Sequence, residues 1–142
     1  MKFRDYFSVK HILFAVVLMA LMLLFAVRQS NNTVKVYFDQ QTVDVTSAKY
    51  SMSIQYSDIV SAELVALPEA GEKVADGYDD DILRAGVWKN DTLGEYIIVA
   101  DLDVDTCILI QIQDGRTLIF SRKNLKATTE DYNTLLTYLP NM

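Results

Sequence analysis

Histidine is almost absent from this sequence, since its single histidine is His11. His11 borders a long apolar run, so the rest of the chain has no imidazole for general-base catalysis and cannot form a Ser-His or Cys-His nucleophile pair. Cys107 is the only cysteine, which excludes an intrachain disulfide, and its apolar neighbours predict a buried side chain. Neither a glycine-rich phosphate loop nor a dinucleotide-binding motif occurs. We therefore expect no enzyme and no cofactor, with carboxylate or metal chemistry as the remaining catalytic alternative.

Positive charge is scarce in residues 29–142. This part of the chain holds nine Lys and Arg against eighteen Asp and Glu, so its formal charge is −9. Nucleic acids and anionic lipid surfaces attract basic proteins and repel acidic ones. The composition therefore argues against nucleic acid as a partner.

The longest apolar run, Ile12 to Val27, predicts a transmembrane helix. Its 16 residues span about 24 Å, which is less than the roughly 30 Å of a hydrocarbon core. Lys10 and Arg28 are expected to lengthen the span by placing their charges among the headgroups. We assign 1–11 to a short N-terminal segment, 12–28 to the anchor and 29–33 to a linker. The side chains expected in the bilayer are Ile12, Leu13, Phe14, Val16, Val17, Leu18, Leu21, Leu23, Leu24, Phe25 and Val27.

A cleaved signal peptide is the alternative to an anchor. Cleavage sites need small residues, and Arg28 stands where one is required, so we favour an uncleaved anchor. Lys2, Arg4 and Lys10 precede the run, whereas Arg28 and Lys35 follow it. The excess of basic residues before the run predicts a cytoplasmic N-terminus and an extracytoplasmic domain, with the reverse orientation as the alternative.

An alternation of apolar and polar residues begins at Val34 and predicts half-buried β-strands. Tyr56 to Ile59 resembles a single helical turn, and the acidic stretch 76–81 is predicted to be a loop. The strands are expected at 34–38, 42–45, 51–55, 60–67, 82–88 and 96–100, followed by a hairpin over 106–121.

Asp114-Gly115 predicts a two-residue turn in that hairpin, because this pair readily adopts the positive φ angles that such turns require. The turn implies three opposed pairs: Gln113 with Arg116, Ile110 with Ile119, and Leu109 with Phe120. Both faces of the hairpin are then partly apolar. We therefore expect the hairpin to be central, or to have its second face covered by another element or a partner.

The final segment predicts an amphipathic helix at 129–139. Its apolar stripe follows helical spacing and consists of Tyr132, Leu135, Leu136 and Leu139. Thr128 is expected to cap the first turn, and Pro140 ends the helix. Short strands followed by one such helix predict a small barrel or curled sheet that the helix covers.

The order of these motifs resembles the bacterial pleckstrin-homology-like domain family, found in small anchored proteins of Gram-positive bacteria. The resemblance covers about Val34 to Leu139 and rests on 56–60, 83–88, 94–96, the hairpin and the closing helix. It implies about seven antiparallel strands plus a C-terminal helix, and only weakly a function. Lipid-binding members of the wider superfamily use clustered basic residues in the first hairpin. Here Lys35 and Lys49 stand beside Asp39 and Asp44, so phosphoinositide binding is not expected.

Asp101, Asp103 and Asp105 form the best candidate metal site, because their alternation resembles the start of a calcium loop. Thr106 occupies the sixth position, where that loop needs glycine, and Ile112 the twelfth, where it needs a bidentate Glu. A solvated connector is therefore the preferred interpretation. The run 79–81 has the same two alternatives, a charged loop or a cation site.

Arg122, Lys123 and Lys126 form the basic cluster of the domain and are a candidate interaction surface, with a solvated loop as the alternative. Trp88 is a candidate for the same role or for the core. The sequence thus predicts a membrane-anchored, non-catalytic interaction module at the bacterial envelope, whose partner is another envelope protein. A ligand or cation sensor and a carboxylate-dependent hydrolase are the alternatives.

Overall fold

A computed structural model describes residues 9–31 and 33–140, which divide into an N-terminal helix and a β domain. Helix α1 covers Val9–Asn31 and so extends into the segment predicted as a linker. Its part Val9–Arg28 has a mean hydropathy of 2.4 and is long and apolar enough to be a candidate membrane span. The predicted anchor side chains are exposed, from 43% for Leu18 to 70% for Phe14. Most of the predicted segment 1–11 lies outside the described residues.

The β domain contains nine strands, a short 3-10 turn and a helix among the described residues. The strands are β1 Lys35–Phe38, β2 Thr42–Thr46, β3 Ser51–Gln55, β4 Ile59–Ala66, β5 Glu72–Asp79, β6 Leu83–Asn90, β7 Gly94–Asp101, β8 Thr106–Ile112 and β9 Thr117–Ser121. The turn is Tyr56–Asp58, as predicted, and helix α2 is Leu125–Tyr138.

The strands form two sheets, one of three strands in the order β1-β2-β3 and one of six in the order β4-β8-β9-β7-β6-β5. All pairings are antiparallel except that of β7 with β9, which is parallel. The expected set of about seven antiparallel strands is therefore wrong in number and in one direction. The parallel pair arises because β9 lies between β8, its antiparallel hairpin partner, and β7. The faces of β9 are buried by the core on one side and by a second apolar cluster on the other.

One apolar core joins the two sheets and α2. It contains fully buried side chains such as Val43 of β2, Phe120 of β9 and Leu135 of α2. The predicted helix stripe is confirmed, since Leu135 and Leu139 belong to this core and Tyr132 and Leu136 pack against it. The opposite side of the six-stranded sheet, here called the outer face, has a second apolar cluster, which includes the buried residues Trp88, Tyr96, Ile98, Leu109 and Ile119.

The hairpin is central, as expected, but its predicted register is wrong by one residue. Ile110 lies opposite Leu118, and Leu109 opposite Ile119. The loop has three residues, because the Ile112 N–H donates to the Arg116 carbonyl at 2.9 Å and the Ile112 carbonyl accepts from the Gly115 N–H at 2.9 Å. Gly115 alone in the loop has a positive φ, +91°, and a two-residue turn of the predicted type needs two such residues.

The acidic segment predicted as a loop at 76–81 is largely a strand, since β5 continues to Asp79. β5 is an edge strand, and only Gly77 and Tyr78 in it are partly buried. Its pairing with β6 is interrupted twice by irregularities, and Asp76 has a φ of +51°. An exposed, irregular edge strand lacks the alternation of apolar and polar residues by which sequence identifies strands.

Helix α2 begins at Leu125, four residues before the predicted start at 129. The cap is Asn124, whose side-chain oxygen accepts from the Ala127 N–H at 2.8 Å, so the predicted cap at Thr128 is wrong. Thr128 is fully buried inside the helix, where its hydroxyl oxygen accepts from the Arg122 N–H at 3.0 Å. The predicted stripe starts at Tyr132 and does not mark the first turn, in which Leu125 and Lys126 are exposed.

Tyr56 joins the end of α2 to the three-stranded sheet. Its ring stacks on Tyr138 with 4.6 Å between centroids, and its hydroxyl donates to the Asp39 carbonyl at 2.9 Å. Tyr138 also stacks on Phe38 of β1 at 6.1 Å. Burial, and to a smaller extent the neighbouring Tyr138 and carboxylates, raise the pKa of Tyr56 to about 12.

The raised pKa of Tyr56 predicts a loss of stability in alkali. The unfolded chain releases this proton near pH 10 and the folded chain near pH 12, so the stabilisation is complete below pH 10 and is lost as the pH rises through about 12. Tyr56→Phe removes one hydrogen bond, at about 1 kcal/mol near neutral pH. We expect the difference in unfolding free energy between wild type and variant to shrink across this window.

Urea unfolding of the full chain in lipid nanodiscs, followed by circular dichroism, measures that difference. Tyr37→Phe is the control, since Tyr37 is 56% exposed. A difference between wild type and Tyr56→Phe that stays constant from pH 8 to above pH 11 would contradict the assigned titration.

Candidate functional site

A cleft of about 740 Å³ lies on the outer face of the six-stranded sheet. Its apolar lining comes from three strands and two connections: Val65, Leu67, Leu93, Leu109 and Ile119. One wall is the end of β4 with the segment Leu67–Gly71, which connects β4 and β5 at opposite edges of the sheet. The other wall is the turn between β6 and β7. The cleft therefore exists because a connection crosses a sheet face that is apolar.

The crossing segment is held by side chains from β6 and β7. The hydroxyl of the buried Tyr96 donates to the Ala70 carbonyl at 2.8 Å, and it also lies 3.2 Å from the Glu69 carbonyl. The Asn90 amide donates to the Glu69 carbonyl at 2.9 Å, and Arg84 donates to the Pro68 carbonyl at 3.3 Å. Burial, partly opposed by Arg84, raises the pKa of Tyr96, so its hydroxyl keeps the proton it donates.

Asn90 also shapes the opposite wall. Its side-chain oxygen accepts from the N–H groups of Thr92 at 3.1 Å and Leu93 at 2.7 Å. The same side chain thus stabilises the β6–β7 turn and binds the Glu69 carbonyl on the opposite wall of the cleft. One residue connects both walls, so the cleft is formed before any ligand binds.

Gly71 permits the close approach of the two walls. Its φ is +71°, and a Cβ added there would lie 2.1 Å from the Lys89 carbonyl oxygen. Any larger residue would push the crossing segment away from β6. The width of the cleft therefore depends on this glycine.

The rim of the cleft is polar and mainly acidic. The charged residues that line the cleft are Glu69, Glu72, Asp91 and Lys89. All four residues are exposed. Lys89 lies opposite both Glu72 of β5 and Glu95 of β7, at a strand position that alternates with Trp88 of the outer face. The rim keeps a net negative charge above an apolar floor.

The three candidate metal ligands differ in their burial. Asp101 is 2% exposed and accepts from the Asp103 N–H at 3.0 Å, whereas Asp103 and Asp105 are exposed. Burial raises the pKa of Asp101, partly opposed by the Asp103 N–H. Among the described residues no three His, Cys, Asp or Glu side chains form a group that could hold a metal ion. Asp101 serves instead to fold the turn after β7.

The carboxylates of Asp79 and Asp80 also have partners within the fold. Asp79 pairs with Arg84 at 3.3 Å. Asp80 accepts from the N–H groups of Ile82 at 2.8 Å and Leu83 at 2.7 Å, and from the Tyr78 hydroxyl. These bonds shape the turn into β6.

The four residues of the candidate interaction surface do not form one exposed surface. Arg122 pairs with Asp131 at 3.2 Å, and Asp131 is itself largely buried, which raises the pKa of its carboxyl against the opposing effect of Arg122. Lys126 lies 3.8 Å from Glu130 on an exposed helix turn, and Lys123 is exposed. Trp88 is 3% exposed and its indole N–H donates to the Ala85 carbonyl at 3.0 Å, so Trp88 belongs to the core.

Cys107 is fully buried in the outer-face cluster, in agreement with the prediction. Burial raises the pKa of its thiol to about 11, and so the thiol is protonated at neutral pH.

Sequence reasoning missed the cleft. It predicted strands at 60–67, 82–88 and 96–100, with no sign that the connections after 67 and after 88 face each other. A weak signal was present, since a hairpin with two apolar faces needs a second cover. Comparison of the chain with protein-family models, with curated proteins and with solved structures finds no match in any of the three.

A pair of glycine substitutions tests how the cleft is built. Gly115→Ala introduces only an unfavourable φ, since nothing lies within 4 Å of its added Cβ, and is expected to cost about 1 to 2 kcal/mol. Gly71→Ala adds a collision with the Lys89 carbonyl and should destabilise the domain by about 1 to 3 kcal/mol more. Urea unfolding followed by the fluorescence of Trp88, the only tryptophan, measures both. Equal losses would show that the walls are not in close contact.

Proposed function

We propose that this protein is a single-pass, membrane-anchored module that binds another protein of the bacterial envelope and has no catalytic activity. The observation that carries the proposal is the preformed cleft on the outer face, with an apolar floor and a polar rim. Clefts of this size and composition are typical of binding sites. The proposal rests on the cleft rather than on the family resemblance, because the mixed six-stranded sheet departs from the antiparallel fold that the resemblance implies.

The chemistry of the cleft supports binding without catalysis. Its lining contains no histidine or cysteine, and its carboxylates are exposed on the rim. A carboxylate that acts as a general acid near neutral pH needs a raised pKa, which comes from burial or from a close like charge. Asp101 has such a shift, but it folds a turn and does not line the cleft.

The anchor prediction concerns the helix α1. We propose an uncleaved span with the N-terminus in the cytoplasm and the β domain outside. The tagged full chain should stay with membranes after an alkaline wash, and a tag at Met142 should be degraded by protease added to intact cells. Leu18→Arg with Leu21→Arg should move the protein into the soluble fraction, because each Arg costs about 2.5 to 3.5 kcal/mol at the centre of a span.

The double substitution to Ile is the matched control for the anchor and should leave the protein in the membrane. A protected tag would place the β domain in the cytoplasm. A shortened product that carries the tag would instead support signal-peptide cleavage.

The partner prediction compares three surfaces by photo-cross-linking in cells. A photoreactive amino acid replaces Thr92 in the cleft wall, Lys123 in the basic cluster or Asp103 in the acidic turn. All three side chains are exposed. We expect a discrete protein adduct from position 92 and none from the other two positions. An adduct confined to position 123 would show that the partner binds at the basic cluster and not at the cleft.

The effect of calcium on stability distinguishes the proposed interaction module from a cation sensor. Addition of calcium to the full chain in nanodiscs is expected to leave its unfolding midpoint unchanged. A stabilisation that Asp103→Asn abolishes would favour the sensor, and the absence of any adduct together with that stabilisation would overturn the proposed function.

A further inference from the structure

We infer that the cleft on the outer face binds an extended peptide segment in which a Lys or Arg stands next to an apolar side chain. This inference rests on the proposed function and adds the chemistry of the partner. Its basis is the combination of floor and rim. The floor consists of aliphatic side chains, whose exposure to water is unfavourable. The rim carries carboxylates that a cation can neutralise.

The floor favours an apolar side chain. Leu109 and Ile119 come from the centre of the sheet and are almost fully buried, whereas Val65, Leu67 and Leu93 are only partly buried around them. An aliphatic side chain that enters the cleft would remove the remaining exposed surface of these three residues from water. A volume of about 740 Å³ has room for a few side chains.

The rim favours a cation. Glu69 and Asp91 stand on opposite walls, and Glu72 lies opposite Lys89 in the pairing of β5 with β6. Glu63 extends the negative surface, since it is exposed and lies opposite Leu109 in the pairing of β4 with β8. The formal charge of −9 on residues 29–142 adds a field that attracts basic segments and repels acidic ones. An acidic ligand would therefore meet repulsion at short and long range.

The shape favours an extended segment over a small polyamine. A polyamine could neutralise the rim, but it would leave the aliphatic floor without a complementary group. An extended peptide places neighbouring side chains on opposite sides, so its apolar residue can enter the floor while the adjacent cation stays near the rim. Such a segment would come from a protein in the same compartment as the β domain.

The test uses random displayed peptides as the probe and the full chain in nanodiscs of zwitterionic lipid as the target. Peptides selected by the wild-type protein should be enriched in Lys or Arg adjacent to Leu, Ile or Val. Their affinity should fall at least about tenfold in the triple variant Glu69→Gln, Glu72→Gln, Asp91→Asn, because three attractive charges are removed. Higher salt should weaken binding to the wild-type protein.

The matched control neutralises three exposed carboxylates outside the cleft, with Asp81→Asn, Glu95→Gln and Asp103→Asn. It has the same net charge as the cleft variant and should bind the selected peptides nearly as well as the wild type does. Equal losses in both triple variants would show that only overall charge matters and would overturn the assignment to the cleft. Methyl resonances of Leu93 and Val65 should shift on peptide addition.

The remaining outcomes separate this inference from the proposed function. Selected peptides that lack a cation and bind the cleft variant equally well would overturn the inference but leave a peptide-binding module. Failure to select any peptide would overturn the inference, while an adduct at position 92 would still support the proposed function. If spermidine alone shifts the Leu93 resonance and no peptide is selected, the cleft binds a small cation and both proposals fail.

Discussion

The constraint on which the β domain depends is that the β8–β9 hairpin is apolar on both faces. A sheet built around it must bury two surfaces, and each surface needs its own cover. The three-stranded sheet and α2 cover one face with a dense core that includes Phe120 and Leu135. The crossing segment Leu67–Gly71 lies over the other. A five-residue connection cannot cover a six-stranded sheet completely, and the cleft occupies part of the area that it leaves.

Side-chain hydrogen bonds attach this second cover to the sheet. Arg84, Asn90 and Tyr96 bind successive backbone carbonyls of the crossing segment. A segment without regular structure has backbone groups that need partners when it packs on an apolar face, and side chains from β6 and β7 supply them. These side chains position the cleft but do not line it, apart from Asn90. The rim carboxylates make none of these bonds.

Much of the secondary structure could be predicted from the sequence, because most strands and the helix stripe have a local periodicity. Failures occurred where local pattern and tertiary position disagree. β5 is an exposed edge strand without alternation, and the first turn of α2 begins with the exposed Leu125. Gly115 alone adopts the positive φ that the hairpin turn was expected to need twice. The candidate site could not be predicted from the sequence for a related reason. Its walls consist largely of connections between strands, and these connections have no periodicity.

The sequence by itself determined the apolar helix, the acidic β domain without histidine and the amphipathic closing helix, since each follows from composition or from spacing within a few residues. Only the tertiary structure decided the parallel neighbour of β9, the burial of Trp88 and Asp101, and the cleft. These features depend on contacts between distant parts of the chain, such as the bond from Tyr96 to Ala70 across 26 positions. Residues so far apart meet only after the sheet has formed, and no local pattern records which of them will face each other.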